Sequence, residues 1–436
     1  MDGDAFMWMK DAEEMEDDME EEDVMDRLTA FAAVMVGIEE ARRLRAERRL
    51  PSRLYLCRPQ LMPNPRFSTP WQVLHGSRSD RAFITTMGFD TATFDSILDD
   101  GFAAAWVATP IPRNDVSHAG KPCPGGRSLD AAGALGLALH FLTSTMREIS
   151  LQQIFALIPT TVSRYINFAC AILLNVLRKI PDARIAWPVT VDEFRELNTL
   201  IVKRHPVLTG AFAGIDGLEL LSETSSDPEI ENETYNGWKC NHCNSNVLVF
   251  SPKGIIIAAS INCPGSWHDS RVARPIYEKL RENTPAGFYL VADTAFPRGT
   301  GQIEGKIRAP IKSGQTITGR EDEIQERLEF DRQLLAYRQT VEWGMRSVQG
   351  AFGRLRIPLD INDNNRRGNM IELCLRLHNL RTNRVGHNQI RTVYMPVWRE
   401  SQDDEEVWSN FEQMLFSDQR RKDRVARYHN FPDYVT

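Results

Sequence analysis

Three acidic residues stand where carboxylates are costly to keep. Asp216 lies inside the apolar run Ala211–Leu221, and Asp293 ends the apolar run that begins at Gly287. Both runs read as buried strands. Neither Asp has a cation beside it in the chain, and a lone buried carboxylate costs more than the roughly 2–7 kcal/mol of an unpaired neutral polar group. Glu342 falls farther along, in a segment with helical spacing. Carboxylate oxygens are the donors that hard divalent cations prefer. Gathered around two such ions, they serve phosphodiester cleavage, in which the metals activate water and stabilise the leaving 3′ oxygen. The residue types therefore suggest Asp216, Asp293 and Glu342 as a catalytic, metal-binding set for Mg²⁺, with Mn²⁺ as a substitute.

These residues need elements to hold them. Leu334, Tyr337, Val341, Met345, Val348, Phe352 and Leu355 recur at steps of three and four, which predicts an amphipathic helix over Leu334–Leu355. Arg338, Glu342 and Arg346 form an adjacent row on it. The two arginines suit a phosphate backbone beside the metal site, and the row equally suits i,i+4 ion pairing on a solvated face. Between the two Asp strands, Val247–Phe250 and Ile255–Ile261 flank Ser251-Pro252-Lys253-Gly254, a hairpin turn. Together these strands predict a mixed α/β sheet flanked by helices, among them Arg271–Arg281 and the Glu342 helix. Asp293 follows Asp216 by 77 residues, and Glu342 follows Asp293 by 49. Two strand carboxylates followed by a helical glutamate is the layout of RNase H-like nucleases and transposases.

Further strings sharpen this. Pro264-Gly265-Ser266-Trp267-His268-Asp269-Ser270 is the most specific of them. It is joined by Val291-Ala292-Asp293-Thr294-Ala295-Phe296-Pro297, by Val341-Glu342-Trp343-Gly344 leading into Phe352-Gly353-Arg354-Leu355, and by Leu377-His378-Asn379-Leu380. In these segments the chain resembles PIF/Harbinger-type transposases, whose catalytic domain is a DDE superfamily endonuclease. The resemblance covers about residues 206–385. It implies an RNase H-like core with its triad on Asp216, Asp293 and Glu342. His268 and Asp269 match further family positions, the first a candidate phosphate contact and the second a candidate additional metal ligand. It also implies DNA as partner, a nuclear location, a Myb-like helper protein and room for a homo-oligomer. Leu218 stands where the family often has Thr, and Ser251 where it has an Asp near the hairpin.

The whole chain of 436 residues carries a net charge of −7, which is a poor match for a DNA binder. Thirteen acidic residues and one lysine fall in residues 1–26, however, so everything after Asp26 carries +5. Like-charged blocks of this kind fail to fold, and 1–26 reads as a disordered acidic tail. Seven scattered cysteines argue against a disulfide framework. No apolar run reaches membrane-spanning length, the longest being Phe168–Leu177. The acidic start also lacks the basic region of a secretory signal. Five arginines between Arg42 and Arg49, and a second basic stretch over Gln419–Arg427, could bind phosphates or an import receptor, and both also fit solvated surface.

The remaining organisation is helical. A helical and irregular region spans 27–128, a helix-turn-helix-like domain 129–205, the nuclease core 206–385 and a tail 386–436. Leu129–Thr145, Leu151–Leu157 and Val162–Leu177 read as three helices, the last two separated by a break at Pro159 and capped by Thr160 or Thr161. Thr161, Ser163, Arg164 and Asn167 would face a DNA groove, although a purely structural three-helix bundle has the same pattern. The sequence thus supports an active endonuclease or transposase, with a domesticated, non-catalytic DNA- or partner-binding protein as the contrasting class.

Overall fold

The computed structural model describes residues 25, 27–45, 55–113, 120–296, 303–311 and 319–394, in two compact units, Met1–Leu61 and Met62–Thr436. The acidic segment up to residue 24, Arg48, Arg49 and the Gln419–Arg427 stretch lie outside the described residues. The first unit contains helix α1, residues 27–45, on which Arg42 and Arg43 pair with Glu39 and Glu40 one turn back.

The second unit begins with a helical layer: α2 (Pro70–Ser77), α3 (Asp80–Met87), α4 (Thr91–Ile97), α5 (Ala103–Ala108), α6 (Ala131–Thr143), α7 (Glu148–Phe155) and α8 (Pro159–Leu177). Thr69, Ser79, Asp90 and Asp130 each accept a first-turn amide, which fixes where α2, α3, α4 and α6 start. Helix α8 starts differently from expectation. Its N-cap is Ile158 with Pro159 in the first helical position, so neither Thr160 nor Thr161 caps it. Proline suits that position because its missing N–H would have no helical partner. At 19 residues α8 is also long and apolar enough to cross a membrane, contrary to the sequence expectation. Its inner face, including Val162, Ile166, Ala169 and Leu173, is instead buried in the helical core with Trp71, Phe94, Leu135 and Leu139.

The rest of the unit is built on a six-stranded sheet. In chain order the elements are α9 (Val191–Val202), β1 (Ala211–Leu221), α10 (Pro228–Thr234), β2 (Tyr235–Asn236), β3 (Asn241–Phe250), β4 (Ile256–Pro264), α11 (Asp269–Val272), α12 (Arg274–Asn283), β5 (Tyr289–Val291), β6 (Ile307–Arg308), α13 (Glu321–Ala351), α14 (Asn364–Arg384) and α15 (Gln389–Tyr394). Across the sheet the order is β4-β3-β1-β5-β6, with β2 extending the outer edge of β3. The first three strands are antiparallel, whereas β5 and β6 run parallel to β1. This mixed sheet flanked by helices is an RNase H-like architecture.

Alternation along β1 divides the two faces. Ala213 and Ile215 join Phe194, Ile276 and Leu280 under α9 and α12. Leu218 and Leu220 join Tyr337, Val341 and Val348 of α13 in the core shared with the helical layer. Helix α13 begins at Glu321, thirteen residues before the expected start, and ends at Ala351; Leu355 lies in a following 3₁₀ turn. That turn clamps the helical layer, because Arg354 stacks on Phe141 and donates to the carbonyls of Phe141 and Met146.

The Leu-His-Asn-Leu segment fastens the hairpin. Asn379 uses its amide as a substitute strand: its oxygen accepts from the N–H of Ile256 (2.8 Å) and its nitrogen donates to the Ile256 carbonyl (2.9 Å). His378 donates to the carbonyl of Gly254 in the turn (3.2 Å).

Helix α13 reaches the sheet at Gly214, where a Cβ would lie 2.2 Å from Cγ2 of Val341. Valine cannot swing aside as a long chain could, so the close approach requires glycine. Gly214→Ala is expected to destabilise the protein by about 1–3 kcal/mol through overpacking, measured as a lower denaturant midpoint. An unchanged midpoint would mean that the helix–sheet spacing is not fixed there.

Candidate active site

The parallel register of β1 and β5 pairs Gly214 with Val291. Asp216 and Asp293 each stand two residues farther along, Asp216 in the middle of β1 and Asp293 just past the end of β5, on neighbouring central strands. Helix α13, seated on Gly214 through Val341, presents the next residue, Glu342, to the same place. One nitrogen of Arg338 joins them, with Nη2 lying 3.3 Å from Oδ2 of Asp293 and 3.5 Å from Oε1 of Glu342. The positive charge of Arg338 also acts on Asp216. Asp216 is therefore not without a cation, as its local sequence suggested, because the cation arrives from α13.

Burial pushes the Asp216 carboxyl up to about 6, the N–H of Gly217 and Arg338 pull it down, and Asp293 and Glu342 push it up again. Such crowding of like charges in a desolvated place marks functional sites more often than structural ones. Arg338 keeps a buried Nε with no hydrogen-bond partner. Of the two expectations for it, a phosphate contact and i,i+4 pairing, the second is seen, and the pairing extends to Asp293. Arg346, one turn past Glu342, is exposed and lines the cleft.

The cleft has a volume of about 360 Å³ and is lined on one side by Asp216, Leu218 and Glu219 of β1 and on the other by Glu342, Met345 and Arg346 of α13. Lys239, Asn241 and Cys243 close it from the β2–β3 hairpin, and Lys239 pairs with Glu219 at 2.7 Å. Lys239 and Glu219 escaped sequence reasoning, because only the folded hairpin brings them to the carboxylates.

Asp269 approaches β1 from the other face. Its carboxylate packs on Gly217, where a Cβ would come within 2.5 Å of it. Burial raises its pKa, with Glu219 and Asp293 adding to the rise and His268 and Lys239 opposing it. Its packing partner on β1 is thus the residue after Asp216, with the side-chain direction of the opposite face. His268 caps α11: its Nδ1 accepts from the N–H of Ser270 (3.3 Å) and lies 3.0 Å from the Ser270 hydroxyl. Only its other ring nitrogen is left to meet a phosphate. Thr161, Ser163 and Arg164 lie in the first two turns of α8, all partly exposed, away from this cleft's lining.

In type, the donor set suits a hard divalent cation: three carboxylates, one of them raised to about 6 by burial with repulsion adding to it, against a single arginine. As the side chains stand, no three His, Cys, Asp or Glu residues among those described are close enough to hold a metal. What Asp216, Asp293 and Glu342 share is the guanidinium of Arg338.

Residues 215–379 match the family model described as DDE superfamily endonuclease, a match that supports the DDE transposase superfamily. The matched segment opens one residue before Asp216 and closes at Asn379. No curated protein and no solved structure matches the chain.

The raised Asp216 carboxyl has a consequence for stability. Its folded value of about 6 exceeds the ordinary 3.8, so the folded state holds a proton in that window which the unfolded chain has lost. Without metal, stability falls as pH rises from about 4 through 6, by on the order of 3 kcal/mol above it. Asp216→Asn is expected to be more stable than the unmodified protein at pH 8 in EDTA and equal to it near pH 4, by urea unfolding. Lower stability of the variant at pH 8 would show that the carboxylate is not under charge stress.

Proposed function

We propose that the protein is a metal-dependent DNA endonuclease of the Harbinger transposase type, cutting phosphodiester bonds at the ends of its element by in-line displacement. The observation that carries this reading is the gathering of Asp216, Asp293 and Glu342 around Arg338 beside two neighbouring central strands of an RNase H-like sheet. Asp216, Asp293 and Glu342 would hold Mg²⁺, which supplies charge stabilisation at the phosphate and an activated water or 3′ hydroxyl. Arg338 offsets the repulsion among the carboxylates and orients Asp293 and Glu342. Arg346 and Lys239 on the cleft wall offer positive charge to a phosphate backbone, which positions a strand without reading its sequence. Asp269, seated behind Gly217, acts as a positioning residue for β1.

Asp293→Asn tests the reading. It keeps shape and removes the anionic ligand, so Mg²⁺-dependent cleavage of the element's ends should fall by several orders of magnitude while DNA affinity stays. Should the unmodified protein, with a Myb-like helper supplied, cut nothing in Mg²⁺ or Mn²⁺, the domesticated, binding-only reading replaces this one.

The α7–α8 pair is proposed to grip DNA as a helix-turn-helix, with Thr161, Ser163 and Arg164 at its contact surface. The two helices are separated by three residues, among them Ala156 in the left-handed region (φ 51°). Arg164→Ala should weaken binding to the terminal sequence and lower the slope of log K against log salt by about one unit. Unchanged affinity and slope would return α6–α8 to a purely structural role.

A further inference from the structure

The β2–β3 hairpin carries an aromatic ring with no packing of its own. Trp238 is 94% exposed, while Trp71, Trp106 and Trp187 are no more than 7% exposed. Tryptophan is normally at least partly covered, so a bare indole at one defined position calls for a partner. Its neighbours narrow the choice. Lys239, the next residue, lines the cleft with Asp216, Glu219, Glu342 and Arg346, so the backbone that carries the ring borders a groove in which cations stand among the carboxylates.

The backbone beneath the ring is held firmly. The side-chain oxygen of Asn236 accepts from the N–H of Trp238 (3.1 Å) and of Lys239 (3.3 Å). The Asn236 amide nitrogen donates to the carbonyl of Gly265 (3.1 Å), and the Lys239 N–H reaches the Asn236 carbonyl (3.2 Å). The ammonium of Lys239 pairs with Glu219 on β1 (2.7 Å). The loop is thus tied both to β1 and to the Pro264–Ser270 segment, and little ordering remains for binding to impose.

We propose that Trp238 is a stacking platform for an unpaired nucleobase of the strand lying in the cleft. Cations beside an exposed, preorganised aromatic face fit single-stranded nucleic acid, whose backbone and bases need one of each. In an intact duplex the faces of a base are covered by its neighbours, so only a flipped, frayed or terminal base can use the ring. The substrate class that follows is DNA with at least one base out of the helix next to the scissile phosphate. This rests on the nucleic-acid reading of the cleft.

The test uses full-length protein carrying Asp293→Asn, in EDTA, so that binding is read without cleavage. The probes are two short DNA hairpins bearing 2-aminopurine, one with the fluorescent base paired and one with it unpaired at a bulge. The unpaired probe should bind more tightly and its fluorescence should be quenched. Adding Trp238→Ala should weaken binding of the unpaired probe by about tenfold or more, leave the paired probe within about twofold and abolish the quenching, and Trp238→Phe should restore most of the binding. Because the ring is exposed, the unfolding midpoint should not move. Equal binding of the two probes by Trp238-bearing protein, or an equal loss for both on Trp238→Ala, overturns the proposal and leaves the nuclease reading standing. Failure of that protein to bind either probe removes the cleft reading and this proposal together.

Discussion

Too much negative charge for one arginine to offset, concentrated beside two central strands of the sheet, is the constraint the surrounding elements serve. Like charges within a few ångströms in a desolvated place repel strongly, and a chain free to relax would move them apart. Here relaxation is blocked on three sides. The parallel pairing of β1 with β5 fixes Asp216 beside Asp293, Val341 seated on Gly214 fixes the depth of α13, and the helix carries Arg338 and Glu342 on one row. The crowding is thus imposed by packing elsewhere, the arrangement expected where a fold spends stability on a site.

The two aspartates were legible because each breaks an apolar strand pattern, and a carboxylate in such a setting needs a compensating partner. The register of α13 over Leu334–Val348 was legible for the same reason, its apolar residues facing one way. Its start was not. Residues 321–333 are stabilised by surface pairs such as Glu329 with Arg332, which leave no apolar stripe to read. Its end was missed because the backbone at Gly353 closes on Thr143 and Ser144, a contact more than two hundred residues distant in the chain. The row on α13 made the Arg338–Glu342 pair legible, whereas the contact of Arg338 with Asp293 was not, because Asp293 joins them only once the strands are in place. The cap of α8 fell to Ile158, ahead of Pro159 in the first helical position, so Thr160 and Thr161 lie inside the first turn.

The helical layer and the sheet are not independent bodies. They share one apolar core, and the 3₁₀ turn after α13 grips the α6–α7 connection through Arg354. The angle between α8 and the carboxylate cleft is therefore set by packing rather than by a linker. A DNA molecule engaging both would have to meet a fixed geometry, so its own deformability would influence which sequences are accepted.

The amide of Asn379 lies along the outer edge of β4, buried under α14, and occupies the backbone groups of Ile256. Uncovered strand edges recruit strands from other molecules, and proteins hide them for that reason. Asparagine at this position therefore satisfies backbone groups of an edge residue that no described strand reaches, a structural task that is the same whether or not the cleft ever cuts DNA. A descendant that had lost every metal ligand would remain under the same pressure to keep it. Persistence of the Leu-His-Asn-Leu string in a related chain consequently speaks to the fold, and only the acidic residues around Arg338 speak to catalysis.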